Sequence, residues 1–142
     1  VAAGLVSDIP EVTEAELLSA RALRETIHRL AWNRIRAETP AEEDLGLLNH
    51  WAALPPPSPQ LGRGGLTWIG RGVSANLAGI AREAVELLGG PGASRVRNCA
   101  RDGCSILFFD TSRSGRRRWC SMTACGNKAK VDAFRKRRRM EN

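Results

Sequence analysis

No stretch of this 142-residue sequence approaches the roughly 18 consecutive apolar residues that a membrane span needs. Its longest aliphatic and aromatic run is Ile106-Leu107-Phe108-Phe109, so no membrane partner is expected. The opening VAAGLVSDIPE lacks both a basic n-region and an apolar h-region, which excludes a secretory signal there and makes a cytoplasmic location the expectation. Aromatic side chains are scarce, four Trp and three Phe, too few for a broad base-stacking platform. Histidine is scarcer still. His28 and His50 fall within helical patterns with no Ser, Cys or carboxylate motif beside them, so the residues point away from an enzyme. A chain this short also excludes a large multidomain enzyme.

Lysine is absent from residues 1–92, where eight Arg face eleven acidic residues for a net charge of −3. Residues 93–142 reverse the balance: eleven Arg and three Lys face four acidic residues, a net +10, and all four Cys lie there. Such a division predicts two parts, a near-neutral or acidic body over 1–92 and a basic, cysteine-bearing module over 93–142. The arginine excess favours partners that present phosphates or carboxylates in forked geometry.

Within the first part, Thr13 and Glu16 form a capping box pattern ahead of Leu17, Ala20, Leu23, Ile27, Leu30, Ala31 and Ile35. Those steps of three and four predict a helix over about 14–37. Thr39-Pro40-Ala41-Glu42 repeats the start signal, with Pro at the first helical position and an apolar stripe at Leu45, Leu48, Trp51 and Ala52. Pro55-Pro56-Pro57-Ser58-Pro59 reads as a polyproline loop, and Leu66-Thr67-Trp68-Ile69 between glycines reads as a short strand or hairpin. A third helix is expected from Ser74, with Leu77, Ile80, Ala81, Ala84, Val85 and Leu88 inward and Gly89-Gly90-Pro91-Gly92 as its stop. Gly62-x-Gly64-Gly65 lacks the Lys-Ser/Thr ending and preceding strand of a phosphate loop and reads as a turn.

The thiols fall as Cys99-x4-Cys104 and Cys120-x4-Cys125, two close pairs separated by fifteen residues. Paired spacing of this kind suits one tetrahedral Zn2+, each pair spanning one edge of the metal; two disulfides, disfavoured in a reducing compartment, and redox or iron–sulfur use are the alternatives. Four thiolates close the coordination shell, so the zinc would be structural, with no position for a catalytic water. Gly103 supplies the positive φ that wrapping around a metal often requires. A 50-residue basic segment with few core residues needs that metal to fold. Val96, Ile106, Phe108 and Trp119 suit a miniature hairpin core, and Phe109 and Trp119 are expected to pack beside the metal rather than stack on bases. Ser121 caps a final helix to about residue 138, with Val131 and Phe134 on one face and Cys125 in the first turn. A hairpin followed by a ligand-bearing helix is treble-clef-like, although spacing does not separate it from a zinc ribbon. The fold class expected is therefore mainly α with small β elements, an α+β arrangement.

Two arginine clusters flank the last two Cys. Arg113, Arg116, Arg117 and Arg118 precede Cys120, and Lys128, Lys130, Arg135, Arg138 and Arg139 lie on the helix. A solvated face is the bland alternative, but a metal-fixed scaffold lets these charges act together on a phosphate backbone. Sequence preference would reside in Asn127 or Lys128 near the helix start, unless Asn127 bonds backbone near the metal.

The stretch WCSMTACGNKAKVDAFRKRR, with Cys99-x4-Cys104 and FFDTSRSGRRRWCSM before it, resembles the CGNR zinc-finger family of bacterial proteins. Lys128 stands where the family has Arg, which would alter a bidentate contact there. In that family the finger follows a mostly helical domain called ABATE, and members are described as stress-induced transcription regulators. The resemblance implies that the domain's usual N-terminal segment is represented here only by about the first ten residues. It further implies a zinc-dependent DNA-binding regulator, with homodimerisation through the helical domain a further expectation. A structural zinc module for protein or RNA contacts, with no operator, is the competing expectation.

Overall fold

The structure is a computed structural model that describes residues 11–140. The expectation of a shortened N-terminal segment falls on residues 1–10, outside the described residues. Backbone contacts divide the chain into two compact units between Pro91 and Gly92.

Among its described residues, the first unit is built on three helices. Helix α1 (Glu14–Arg36) begins as its sequence predicts: Thr13 Oγ1 accepts from the Glu16 amide, and the Glu16 carboxylate accepts from the Thr13 amide at 2.9 Å. Leu23, Leu30 and Ala31 from the expected stripe are buried, whereas Leu17 at its outer end is exposed. Helix α2 (Glu42–Ala53) corrects the second start signal. Ala41 is the cap, without a side-chain bond, and Pro40 precedes it rather than opening the helix. The Thr39 carbonyl accepts from Asn33 Nδ2, so the turn after α1 fixes Thr39 outside α2. Glu42, Glu43 and Asp44 in the first turn oppose the positive end of the helix dipole in place of a cap.

Strands β1 (Ser58–Gly62) and β2 (Gly65–Ile69) form an antiparallel hairpin across Arg63-Gly64. The polyproline expectation is therefore too long by two residues: Ser58 and Pro59 belong to β1, and Pro59 faces Trp68. A two-residue turn makes Gly62 and Gly65 a hydrogen-bonded pair, and alternation makes Pro59 and Trp68 a non-bonded one. The missing N–H of Pro59 thus points to the outer edge, where the ladder does not need it.

Helix α3 (Val73–Gly89) ends at the expected glycines. Its inward face holds Leu77, Ala78, Ala81 and Ala84, while Ile80 and Val85, expected inside, are exposed. Small alanines let α3 lie close to its neighbours. The core joins Leu23 and Leu30 of α1, Leu48 of α2 and Leu77, Ala81 and Ala84 of α3, with Ile27, Leu45 and Trp51 packed around it.

In the second unit a 3₁₀ turn (Pro91–Arg95) leads into β3 (Val96–Asn98), which pairs antiparallel with β4 (Leu107–Phe109). After a long loop, a π turn (Met122–Gly126) runs directly into α4 (Asn127–Met140). Mainly helical, with two small antiparallel sheets and a hairpin-plus-helix finger, the molecule has the expected fold class. No described helix is long and apolar enough to cross a membrane.

Candidate metal centre and its basic surface

The four Cys converge because each comes from a different turn of the finger. Cys99 directly follows β3, and its amide donates to the Ile106 carbonyl at 3.0 Å across the hairpin. Cys104 follows a turn closed by its own amide on Arg101 O, with Gly103 at φ 74 as the sequence suggests. The Ala100 amide donates to Arg118 O at 2.8 Å, drawing the segment that leads to Cys120 beside the first pair. Ser121 Oγ accepts from the Ala124 amide and starts the π turn that carries Cys125.

All four Sγ atoms lie within 4.8 Å of one another. Cys120 and Cys125 are 3.5 Å apart, Cys104 and Cys125 3.8 Å, and Cys104 and Cys120 3.9 Å. Four sulfurs around a tetrahedral zinc with Zn–S of about 2.3 Å would stand roughly 3.8 Å apart. A disulfide needs about 2.05 Å, and all four thiols are free, so the disulfide alternative does not describe this arrangement.

The protonation pattern fits a cation too. Burial opposes ionisation of Cys99, yet hydrogen bonds from the backbones of Cys120 and Arg101 and from the thiols of Cys104 and Cys120 outweigh it, bringing Cys99 down to about 7. Burial, aided by the surrounding sulfurs, pushes Cys120 up to about 12. At Cys125 the bond from Cys120 favours the thiolate, but burial and the Cys104 and Cys99 sulfurs raise it overall. Cys99 ionises readily while Cys120 and Cys125 resist sharing its space, a conflict that a divalent ion removes. The donor set thus fits a single structural zinc, which would supply folding energy rather than a reactive water.

Several scaffold residues were not singled out by sequence reasoning. Asp110 is fully buried and accepts from the Ser112 amide at 2.9 Å and the Arg117 amide at 2.8 Å. Hydrogen bonding from Ser112, then from the Arg117 amide, together with the Arg97 charge, holds its carboxyl below the usual carboxylate range against the cost of burial. Arg95 Nη1 donates to the carbonyls of Asp110 and Ser112, both at 3.0 Å. The signal was present in Asp110-Thr111-Ser112, a turn former whose carboxylate bonds backbone two residues on. Gly126, of the CGN motif, is closely packed: a Cβ there would meet Met122 Sδ at 2.6 Å and Trp119 Cδ1 at 3.0 Å.

The expected cations divide in role. Arg113, Arg116, Arg118, Lys128, Lys130, Arg135, Arg138 and Arg139 are all exposed. Arg117 is exposed as well, but its guanidinium is engaged: Nε donates to Trp119 O at 2.8 Å, Nη2 donates to Cys120 O, and the group lies 5.0 Å over Phe108. Arg118 stacks on Trp119 at 4.9 Å. Asn127 Nδ2 donates to Thr123 O, the backbone role foreseen as its alternative. Because Arg118 precedes Cys120 by two residues and Lys128 follows Cys125 by three, the sulfur cluster brings both cationic segments out of one site. Trp119 is half-buried as expected, but Ile106 and Phe109 are exposed, and so are Val131 and Phe134, since α4 contains no buried residue.

A family model for the CGNR zinc finger matches residues 95–138. A second, ABATE, described as "Putative stress-induced transcription regulator", matches residues 1–91. No curated protein matches the chain. With the helical unit covered by the one model, and the four-cysteine cluster with its basic surface by the other, the chain belongs to the ABATE family and carries a CGNR zinc finger.

Proposed function

We propose that this protein is a zinc-dependent, DNA-binding transcription regulator that acts in the cytoplasm without catalysis. Residues 93–142 form the binding module, and residues 1–92 form a regulatory body through which two copies pair. Cys99, Cys104, Cys120 and Cys125 hold the zinc.

One observation carries the reading: Arg113, Arg116, Lys128, Lys130, Arg135 and Arg139 are exposed, and none forms an ion pair with another described residue. Cations on a metal-fixed scaffold that stay unneutralised have their strongest complement in a regular row of phosphates. Arg117 is excluded from the phosphate set, because its guanidinium closes the loop around Cys120.

A salt titration of duplex binding tests this. About five phosphate contacts give a slope of log affinity against log salt near −4 to −5, and losing one cation lowers it by about one. An Arg113→Ala, Arg116→Ala, Arg135→Ala, Arg139→Ala variant that keeps its zinc should lose most of the slope. Unchanged affinity at low salt would reject DNA binding and leave a module for protein contacts.

A further inference from the structure

Helix α4 has an order in its exposed surface that simple polyanion binding does not require. Val131 and Phe134 are 46% and 53% exposed, and the helix buries nothing among its described residues. Asn127, Val131, Phe134 and Arg138 follow at steps of four, three and four, so they share one stripe. On one side of it run Lys128, Asp132, Arg135 and Arg139, on the other Lys130 and Arg137. Ala129, the one half-buried residue of the helix, lies on the side away from the stripe. The stripe therefore faces outward: a narrow apolar ridge, with Arg138 5.9 Å over the Phe134 ring, between two rows of cations interrupted by Asp132.

Several occupants are limited by charge. Seven Lys and Arg against Asp132 alone make pairing of α4 with a second copy of itself repulsive. A three-row surface, cationic at both flanks and apolar along the middle, matches the B-DNA major groove. That groove is about 12 Å wide, accepts a helix of about 10–12 Å, and is walled by phosphates on both sides. Its floor is polar at most base edges but presents a methyl group at every thymine.

We propose that α4 is a major-groove helix whose ridge of Val131 and Phe134 reads thymine methyl groups, while its flanking cations hold the two phosphate walls. The inference rests on the DNA-binding reading above and adds the groove, the element and the chemical group recognised. The side chains act through contact with the base methyls and leave counterion release to their neighbours.

The test compares the full zinc-loaded chain on two duplexes of equal length and charge, alternating dA-dT and alternating dA-dU, which differ only in the thymine methyl. The parent should prefer the methylated duplex by about fourfold for each methyl covered. A Val131→Ala, Phe134→Ala variant should bind both duplexes alike, with zinc content and salt slope unchanged; Phe134→Leu should keep part of the preference. Equal binding of the two duplexes by the parent would overturn the inference and leave DNA binding standing. Binding to neither at low salt would overturn both. Equal or tighter binding to duplex RNA, whose deep, narrow major groove excludes a helix, would overturn the major-groove assignment.

Discussion

The two units of this chain reach order by different means. In the helical unit Leu23, Leu30, Leu48 and Leu77 are buried together, and their apolar area removed from water is the driving force. In the finger, the buried apolar residues among those described are Ala93, Val96, Cys99 and Cys125, with Asp110 beside them. Only Val96 is a sizeable aliphatic group. The finger replaces a leucine core with a sulfur cluster and a carboxylate that ties down the Ser112 and Arg117 amides. Freed from supplying a hydrophobic face, its helix α4 exposes every residue except the half-buried Ala129. A sulfur cluster in place of a leucine core and an exposed basic helix are two aspects of one economy of sequence.

The largest effect should come from breaking the sulfur cluster. Chelation, or Cys104→Ser, should abolish ordered amide signals from residues 96–126 while α1–α3 keep theirs, since structural zinc supplies about 10–16 kcal/mol of local folding energy. Heteronuclear spectra check this, and equal loss in both units would refute the contrast. The converse experiment is Leu23→Ala, which empties a site only 1% exposed. Stability of the helical unit should fall by about 2–5 kcal/mol, read from its urea midpoint, with zinc content unchanged.

A smaller effect sharpens the comparison by asking what the helical unit gains from its own buried carboxylate. Arg29 grips Asp44 through Nε at 3.1 and 3.0 Å and Nη2 at 2.6 Å, and the buried Thr26 hydroxyl donates to it at 3.3 Å. The Arg29 bond holds the Asp44 carboxyl below its usual range against burial, with the Arg29 charge and Thr26 assisting. A lowered folded-state value means the stabilisation is full above the unfolded value, about 3.9, and is lost as pH falls through the folded one. Asp44→Asn should cost about 1–3 kcal/mol at neutral pH and flatten the loss of stability below about pH 4. Urea midpoints of parent and variant across that range, followed by α2 amide signals, provide the check.

Local chemistry was legible from sequence wherever neighbours in the chain decide it. The Thr13–Glu16 box, the glycine stop after α3, the φ of Gly103 and the paired Cys spacing are all short-range instructions. Features set by distant partners were not. Ser58 and Pro59 read as polyproline because nothing local reveals that Ile69 and Trp68 will lie opposite. Thr39 read as a cap because its carbonyl's partner, Asn33, belongs to the preceding helix. Ile80 and Ala78 exchanged places because close approach, not apolarity, chose the inward face of α3. Arg117 looked like its neighbours in a basic run until the Trp119 and Cys120 carbonyls claimed it.

Pro59 has a consequence for how copies of this protein behave when crowded. The hairpin β1–β2 has two open edges and carries Leu61 at 91% exposure and Leu66 at 66%, the ingredients of a sticky strand. With its ring where an outward N–H would stand, Pro59 removes one of the two outward donors of the β1 edge and leaves that of Leu61. The same residue that shortens the polyproline loop thereby weakens the β1 edge as a template for an intermolecular sheet.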